Sequence, residues 1–156
     1  MINIIAVIDK NRAIGWRNRL LFDIPSDMRR FKTLTMGHAV IMGRRTFESL
    51  PGGPLPGRRN IVVSKSLTEI NGAEVCKSVT EALARCSAEK EVFIIGGGEL
   101  YRQTISHADR LYLTVVDDTA PQADTWFPPY DTWKLVDEET EGCVSFRTYL
   151  TQIVQR

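Results

Sequence analysis

The stretch AVIMGRRTFESLPGGPLPGRRNIVVS, residues 39–64, determines the expected fold. Its first five residues and residues 60–64 are short apolar runs rich in β-branched side chains, which is typical of buried strands. Residues 44–50 predict a helix, and the Pro/Gly-rich segment 50–59 predicts a loop. Two buried strands joined through a helix indicate a parallel pair, because parallel strands need a long crossover connection.

The same alternation runs through the first two thirds of the chain. Strands are predicted at 2–8, 39–43, 60–64, 73–77 and 91–97. Helices are predicted at 25–36, 44–50, 78–87 and 99–107. The third helix is expected to begin with a capping box formed by Ser78 and Glu81. Strands alternating with helices predict a parallel sheet that is covered on both faces.

After residue 108 the pattern changes, because strands at 109–116, 132–139 and 144–154 follow one another without helices. A glycine turn separates the last two, so an antiparallel hairpin is expected at the sheet edge. The predicted fold class is therefore α/β, with a mostly parallel central sheet of about eight strands, a C-terminal antiparallel edge hairpin and helices on both faces. The length predicts a single domain, 1–156.

The composition excludes several classes of protein. No run of 18 apolar residues is present, so no membrane span is expected. The first ten residues lack the features of a signal peptide and predict a strand instead. Cys76, Cys86 and Cys143 form no Cys-x-x-Cys pair, and His38 and His107 are distant from them in sequence. Neither a metal site nor a disulfide framework is expected, and free thiols fit a reducing cytoplasm.

The charge is unevenly distributed although the net charge is only +1. Residues 1–65 contain twelve Lys/Arg and four Asp/Glu, whereas residues 66–156 contain eight and fifteen. A basic half is one mark of nucleic-acid binding. These arginines lie at turns between strands and helices, which fits a small polyanionic ligand better. A merely solvated surface is an equal alternative.

Asp27 is unusual because it shares one helix face with Phe31 and Leu34. Pro25 suits the first helical turn, which makes Asp27 about the third residue of the helix. One interpretation is that an acid in the first turn complements the helix dipole. The other is that Asp27 is buried, in which case it needs a bound cationic or N–H-rich group, because burying an unpaired carboxylate is costly.

Two glycine-containing strand ends are candidates for phosphate binding. VFIIGGGELY, residues 92–101, leads from a strand through three glycines into a helix, an arrangement that lets backbone N–H groups approach a phosphate. It matches neither a Rossmann fingerprint nor a P-loop, so a tight turn is the alternative. The second strand end lies in residues 41–51, where Gly43 is followed by Arg44, Arg45 and Thr46 at the start of a helix. Cations at a helix start oppose the helix dipole, so these arginines indicate either an anionic ligand or pairing with Glu48.

Two further segments could carry function. Arg58 and Arg59 precede a buried strand, where an arginine can bind a carboxylate through two hydrogen bonds or remain solvated. The loop AIGWRNRLLFDIP, residues 13–25, combines Gly15 with large apolar residues. Long loops of this kind often act as lids, although a surface loop held by apolar contacts is the alternative.

In this order and spacing the segments resemble dihydrofolate reductase. The resemblance runs from residue 2 to about residue 128 and rests on IGxxNxLLFDIPSDMRRFKxLT (14–35), VIMGRRTFESLPGGPLPGRRNIVVS (40–64), VFIIGGGELY (92–101), ADRLYLTVV (108–116) and ADTWFP (123–128). It implies NADPH-dependent reduction of 7,8-dihydrofolate to 5,6,7,8-tetrahydrofolate, by hydride transfer to pterin C6 and protonation at N5. It also implies a cis peptide between Gly96 and Gly97.

The resemblance implies that Asp27 accepts hydrogen bonds from N3–H and the 2-amino group of the pterin, and that the Thr114 hydroxyl hydrogen-bonds this acid. Arg58 would bind the α-carboxylate of the glutamate tail. Asp27, Leu20 and Phe22 are the implied catalytic residues, with the proton arriving through water beneath the loop. The implied substrate-binding residues are Ile5, Ala6, Asp27, Met28, Phe31, Leu50, Leu55, Arg58, Ile95 and Thr114.

The implied cofactor is NADPH, and no metal is implied. Arg44 and Ser64 are expected at the 2′-phosphate that distinguishes NADPH from NADH. The full set of implied cofactor-binding residues is Ala6, Val7, Ile14, Gly15, Gly43, Arg44, Arg45, Thr46, Ser64, Lys65, Lys77, Ile95, Gly97, Gly98, Glu99, Leu100 and Tyr101. Antifolate inhibitors are implied as further ligands, and a cytoplasmic monomer that binds neither nucleic acid nor membrane is expected.

The chain departs from the family at Phe22, where the family normally has Trp. An indole N–H can hold an ordered water, whereas a phenyl ring has no donor. Two other functions compete with the resemblance: a non-catalytic nucleotide-binding module, and a reductase of related fold acting on a pyrimidine intermediate of riboflavin synthesis. The first gives no use to Asp27 and Thr114, and the segment FDIPSDMRRFK (22–32) argues against the second.

Overall fold

The computed structural model describes residues 1–17, 19–20 and 22–152, with only the backbone at 19–20. The helices are α1 (Pro25–Thr35), α2 (Arg44–Ser49), α3 (Val79–Arg85) and α4 (Gly98–Thr104). The strands are β1 (Ile2–Ile8), β2 (Ala13–Trp16), β3 (Arg19–Leu20), β4 (Ala39–Gly43), β5 (Arg59–Val63), β6 (Glu74–Cys76), β7 (Val92–Gly96), β8 (Arg110–Val116), β9 (Thr125–Trp126), β10 (Lys134–Glu141) and β11 (Val144–Leu150).

The main sheet confirms the predicted fold class. Its eight strands lie in the order β10-β11-β8-β1-β7-β4-β5-β6. From β8 to β6 all neighbouring strands are parallel, while β11 pairs antiparallel with both β8 and β10. The closing hairpin therefore lies at the sheet edge, as expected. Among the described residues no helix is both long and apolar enough to cross a membrane.

Helices cover both faces of the sheet because the central strands are apolar on both sides. One face carries a cluster that includes Ile4, Ile41 and Ile94, packed with residues of α3 and α4. The other carries Ile5, Val40, Met42, Val62 and Phe93, against which Phe31 and Leu34 of α1 and Phe47 of α2 pack. Burial of this kind contributes about 25 cal/mol for each Å² of apolar surface removed from water.

A second sheet was not predicted. It has the order β3-β2-β9, and two of its strands, β2 and β3, occupy part of the segment interpreted as a loop at 13–25. Ala13 of β2 pairs with Trp126 of β9, more than a hundred residues away. Such short strands show no periodicity of their own, and the third strand that completes the sheet, β9, is distant in sequence.

The helix starts follow the sequence closely. Ile24 is the N-cap of α1 and Pro25 its first residue, so Asp27 is the third, as expected. At α3 the Ser78 hydroxyl accepts a hydrogen bond from the backbone N–H of Glu81. The Glu81 carboxylate accepts from the N–H of Lys77 and not of Ser78, so only half of the predicted capping box forms.

Candidate active site

A cleft of about 740 Å³ opens at the carboxyl ends of the central parallel strands. Ligands commonly bind at this edge of open α/β sheets. Residues of β1, β2, α1, α2, α4 and β9 contribute to its walls. The lining residues are Ile5, Ala6, Val7, Ile14, Gly15, Asp27, Met28, Phe31, Gly43, Arg44, Arg45, Thr46, Ser49, Leu50, Leu55, Val63, Ser64, Lys65, Ser66, Ile95, Gly96, Gly97, Gly98, Glu99, Leu100, Tyr101, Arg102 and Thr125.

Asp27 lies on the cleft wall and is partly buried. The hydroxyl of Thr114 on β8 donates to its Oδ1 at 2.6 Å, and Thr114 is buried. Burial raises the pKa of Asp27 above its ordinary value, while the Thr114 hydrogen bond and the charge of Arg30 act in the opposite direction. Desolvation therefore favours the neutral form of Asp27, whereas Thr114 and Arg30 favour its charged form.

The walls around Asp27 are apolar. Ile5 comes from β1, Phe31 from α1 and Ile95 from β7, and Leu50 and Leu55 lie in or beside the loop after α2. Asn60 fixes that loop, since its side chain accepts from the N–H of Leu55 at 2.8 Å and donates to the Leu55 carbonyl at 2.9 Å. This end of the cleft suits a flat heterocycle that also has donors for a carboxylate.

A compact glycine turn forms the middle of the cleft. The peptide between Gly96 and Gly97 is cis, which confirms the expectation from the resemblance. Gly96 has φ +127°, a conformation that other residues rarely adopt, and an added Cβ would lie 3.2 Å from the Tyr101 hydroxyl. That hydroxyl is buried and donates to the Ile5 carbonyl at 2.9 Å, so it ties α4 to β1.

The far end of the cleft is basic and rich in hydroxyl groups. Arg44, Arg45 and Lys65 line it together with hydroxyl residues, which are Thr46, Ser49, Ser64 and Ser66. Arg44 also faces Glu48, with Nε 3.5 Å from a carboxylate oxygen, and both side chains are exposed. Guanidinium, ammonium and hydroxyl donors at one place are the donor set that binds phosphate groups.

Most of the predicted site residues line this one cleft, but four of those whose side chains the structure describes do not. Thr114 reaches it only through its hydrogen bond to Asp27. Arg58 lies beside it, with Nε 2.9 Å from the Pro56 carbonyl oxygen and Nη1 3.2 Å from the Thr35 hydroxyl. Phe22 is partly buried and does not line the cleft, and the side chain of Leu20 lies outside the described part of the chain.

Lys77 is the fourth. Its ammonium group donates to the carbonyl oxygens of Lys65 and Leu67, at 3.4 and 3.2 Å. Lys77 therefore holds the backbone next to Ser64 and Lys65 and does not face the cleft itself.

Six lining residues were not predicted: Ser49, Val63, Ser66, Gly96, Arg102 and Thr125. Gly96 and Ser66 could have been found, since both adjoin predicted residues in sequence. Arg102 was detectable as the cation three residues after Glu99, with which it forms an ion pair. Thr125 could not have been found, because the missed strand β9 positions it; a methyl group added at Gly98 would lie 2.5 Å from its Cγ2.

The chain is similar in sequence to known proteins of one family. The family model for dihydrofolate reductase matches residues 1–154. Dihydrofolate reductase type 3 of Salmonella typhimurium is 42% identical over 157 residues, covering 99% of this chain and 96% of that protein. Dihydrofolate reductase of Bacillus subtilis (strain 168) is 44% identical over 142 residues, covering 89% and 83%.

A solved structure gives the same result. Dihydrofolate reductase from Enterococcus faecalis, complexed with NADP(H) and RAB-propyl, superposes with a TM-score of 0.88 at 29% identity and covers 98% of this chain and 97% of that one. The cleft combines an apolar pocket that contains a carboxylate with a basic end suited to phosphate groups, and the matches above cover almost the whole chain. The chain therefore belongs to the dihydrofolate reductase family.

Proposed function

We propose that the cleft carries out the reaction of the family, the NADPH-dependent reduction of 7,8-dihydrofolate to 5,6,7,8-tetrahydrofolate. The observation that carries the proposal is the Asp27 carboxylate, which is partly buried among apolar walls and hydrogen-bonded to Thr114 at 2.6 Å. A carboxylate in such a place needs a ligand with N–H donors. The 2-amino group and N3–H of a pterin supply two donors side by side.

The substrate ring occupies the Asp27 end of the cleft in this proposal. Asp27 accepts both pterin hydrogen bonds, while Ala6 and the apolar residues enclose the ring and the benzoyl group that follows it. Those apolar residues are Ile5, Met28, Phe31, Leu50, Leu55 and Ile95. Arg58, whose Cζ lies 6.0 Å from the ring centroid of Phe31, turns toward the cleft to bind the α-carboxylate of the glutamate tail.

The cofactor occupies the remainder of the cleft, and the residues present fit it. Gly43, Gly96 and Gly97 lie close together, and because they have no side chains they leave space in which backbone groups can contact a phosphate. Arg44, Thr46, Ser64 and Lys65 provide the donors for phosphate groups, with Arg44 and Ser64 at the 2′-phosphate. Arg45 lies beside them, and Lys77 supports the backbone at Lys65. Ala6, Val7, Ile14, Gly15 and Ile95 enclose the nicotinamide, and Gly97, Gly98, Glu99, Leu100 and Tyr101 enclose the pyrophosphate and riboside.

Bound NADPH supplies the hydride that the reaction needs at pterin C6. The residues of the cleft would align the two rings and exclude water from between them. Asp27 stays negative and thereby favours the N5-protonated, cationic form of the substrate. Solvent delivers that proton beneath the segment 13–24, near Leu20 and Phe22.

An assay of NADPH consumption in the presence of dihydrofolate tests the proposal. The expected result is rapid oxidation with NADPH, much slower oxidation with NADH, and a large loss for Asp27→Asn at neutral pH. The proposal would be overturned if the folded protein oxidised NADPH equally fast with and without dihydrofolate, or did not oxidise it at all. We further propose that antifolate inhibitors compete for the same cleft, that the chain acts as a cytoplasmic monomer, and that residues 1–156 form one domain.

A further inference from the structure

Arg30 lies one helical turn after Asp27 on α1 and faces the sheet. Its guanidinium carbon is 5.5 Å from the ring centroid of Tyr112 on β8 and 5.2 Å from that of Phe146 on β11. The side chain is partly buried, unlike that of Arg29, which is exposed. Two arginines adjacent in sequence are thus in different environments, and only Arg30 is enclosed by aromatic rings.

No carboxylate of the described residues forms an ion pair with the Arg30 cation. Its Nη1 is buried and lacks a hydrogen-bond partner within residues 1–17 and 22–152. None of the ion pairs shorter than 4 Å in that part of the chain includes Arg30. A buried charged donor without a partner is unfavourable, so packing alone is a poor reason for an arginine here.

The geometry connects this cation to Asp27. Thr114, which donates to Asp27, is the cross-strand partner of Phe146, and Tyr112 lies two residues earlier on the same face of β8. The two rings beneath Arg30 therefore adjoin the residue beneath Asp27. Since residues three apart on a helix are neighbours, the guanidinium and the carboxylate lie over the same part of the sheet.

Four titratable groups of the described residues interact electrostatically with Arg30. Asp27 is on the same helix, Tyr112 is on β8 and accepts a hydrogen bond from Arg110 at 2.8 Å, and Asp137 and Glu139 are on β10. Burial lowers the pKa of Arg30, but arginine stays protonated at any pH that the enzyme meets. Burial raises the pKa of Asp27, and the charge of Arg30 is one of the two opposing influences.

We propose that Arg30 is a positioning residue for the reduction, and that its positive charge, which forms no ion pair among the described residues, keeps Asp27 in the ionised form that binds the pterin. The inference rests on the proposed function, because it gives Asp27 the role described there. It adds a second charged group, behind the cleft wall, on which the protonation of Asp27 depends. A neutral residue at this position would let desolvation dominate, and Asp27 would take up a proton at higher pH.

Titration of the Asp27 carboxyl carbon by NMR in the free enzyme tests this directly, with the signal identified by its loss in Asp27→Asn. Arg30→Gln removes the charge and keeps a planar group, Arg30→Lys keeps the charge, and Arg29→Gln removes a neighbouring exposed charge. We expect Arg30→Gln to raise the titration midpoint by about half a pH unit or more. Arg30→Lys is expected to stay near the wild type, and so is Arg29→Gln.

The alkaline limit of the rate of dihydrofolate reduction should move in the same direction in Arg30→Gln, because any coupled group gains a proton more readily when a positive charge is removed. If Arg30→Gln fails to fold, Arg30→Met is used instead, because the unbranched methionine side chain can also pack on the rings of Tyr112 and Phe146. Equal midpoints in Arg30→Gln and Arg29→Gln would overturn the inference. The titration needs no turnover, so this failure is distinct from absence of reductase activity in the wild type.

Discussion

Thr114 donates its hydroxyl hydrogen to Oδ1 of Asp27 at 2.6 Å, although 87 positions separate the two residues in the chain. The bond joins the first turn of α1 to β8. It fixes the direction of the Asp27 carboxylate at the apolar end of the cleft through one of its two oxygens.

Asp27→Asn should lose most of its turnover at neutral pH and recover part of it in acid. The amide cannot favour the N5-protonated substrate, whereas at low pH the solution supplies that form. The expected loss at pH 7 is roughly 100-fold or more. Steady-state rates between about pH 5 and pH 9 measure it, and Asp23→Asn, an exposed acid four residues earlier, is the control. Full activity of Asp27→Asn at pH 7 would contradict the assigned role.

The same substitution should stabilise the ligand-free protein. Burial raises the pKa of Asp27, so between its unfolded and folded pKa values the folded state binds more protons. Stability therefore falls as the pH rises through that interval and stays lowered above it. We expect Asp27→Asn to melt a few degrees higher than the wild type at pH 7, on the order of 2–4 °C. The advantage should shrink toward the ordinary pKa of Asp, and a lower melting temperature at pH 7 would count against it.

Arg44→Gln should weaken the binding of NADPH much more than that of NADH. Removing a guanidinium that binds a phosphate costs about 10-fold or more in affinity. The KM for NADPH should rise accordingly, with kcat nearly unchanged. Arg85→Gln is the matched control, because Arg85 is an arginine of similar exposure on α3 that pairs with Glu81 and does not line the cleft. Equal rises in the KM for both cofactors would show that Arg44 does not read the 2′-phosphate.

Phe22→Trp should change both the pH dependence of the rate and the affinity for antifolate inhibitors. Phe22 is partly buried and has no donor, so we expect it to preserve packing while shifting the water that delivers the proton. An indole N–H would hold that water near the substrate. Rates across pH and inhibitor titrations measure the effect, with Phe22→Tyr as a comparison. Unchanged profiles in Phe22→Trp would dispose of the hypothesis.

The main sheet could be predicted because its strands carry their own signal. Residues 2–8 are apolar except for Asn3, residues 39–43 contain no polar side chain, and both strands have the predicted bounds. The three strands of the small sheet could not be predicted. Each has two to four residues, and Ala13 finds its partner only at Trp126.

The site could be predicted in part, because some of its residues stand out in the sequence. Asp27 was conspicuous because it interrupted an apolar helix face, and the end of the strand at 39–43 indicated Arg44 as an anion-binding candidate. Ser64 was expected only from the resemblance to the family. The environment of Arg30 was not deduced, although its spacing of three from Asp27 places it on the same face. Helical spacing gives the face on which a side chain lies, but not whether two aromatic rings from β8 and β11 enclose it.

The outermost strand, β10, has a consequence for self-association. All eight of its residues are exposed, including Leu135 and Val136, which are 44% and 45% accessible. An unprotected edge with such residues is a template for intermolecular pairing. Here the pairing with β11 shifts register between Leu135 and Asp137, and three acidic residues follow in succession. The irregular backbone and the mutual repulsion of these acids should keep separate molecules from extending one another's sheets in concentrated solution.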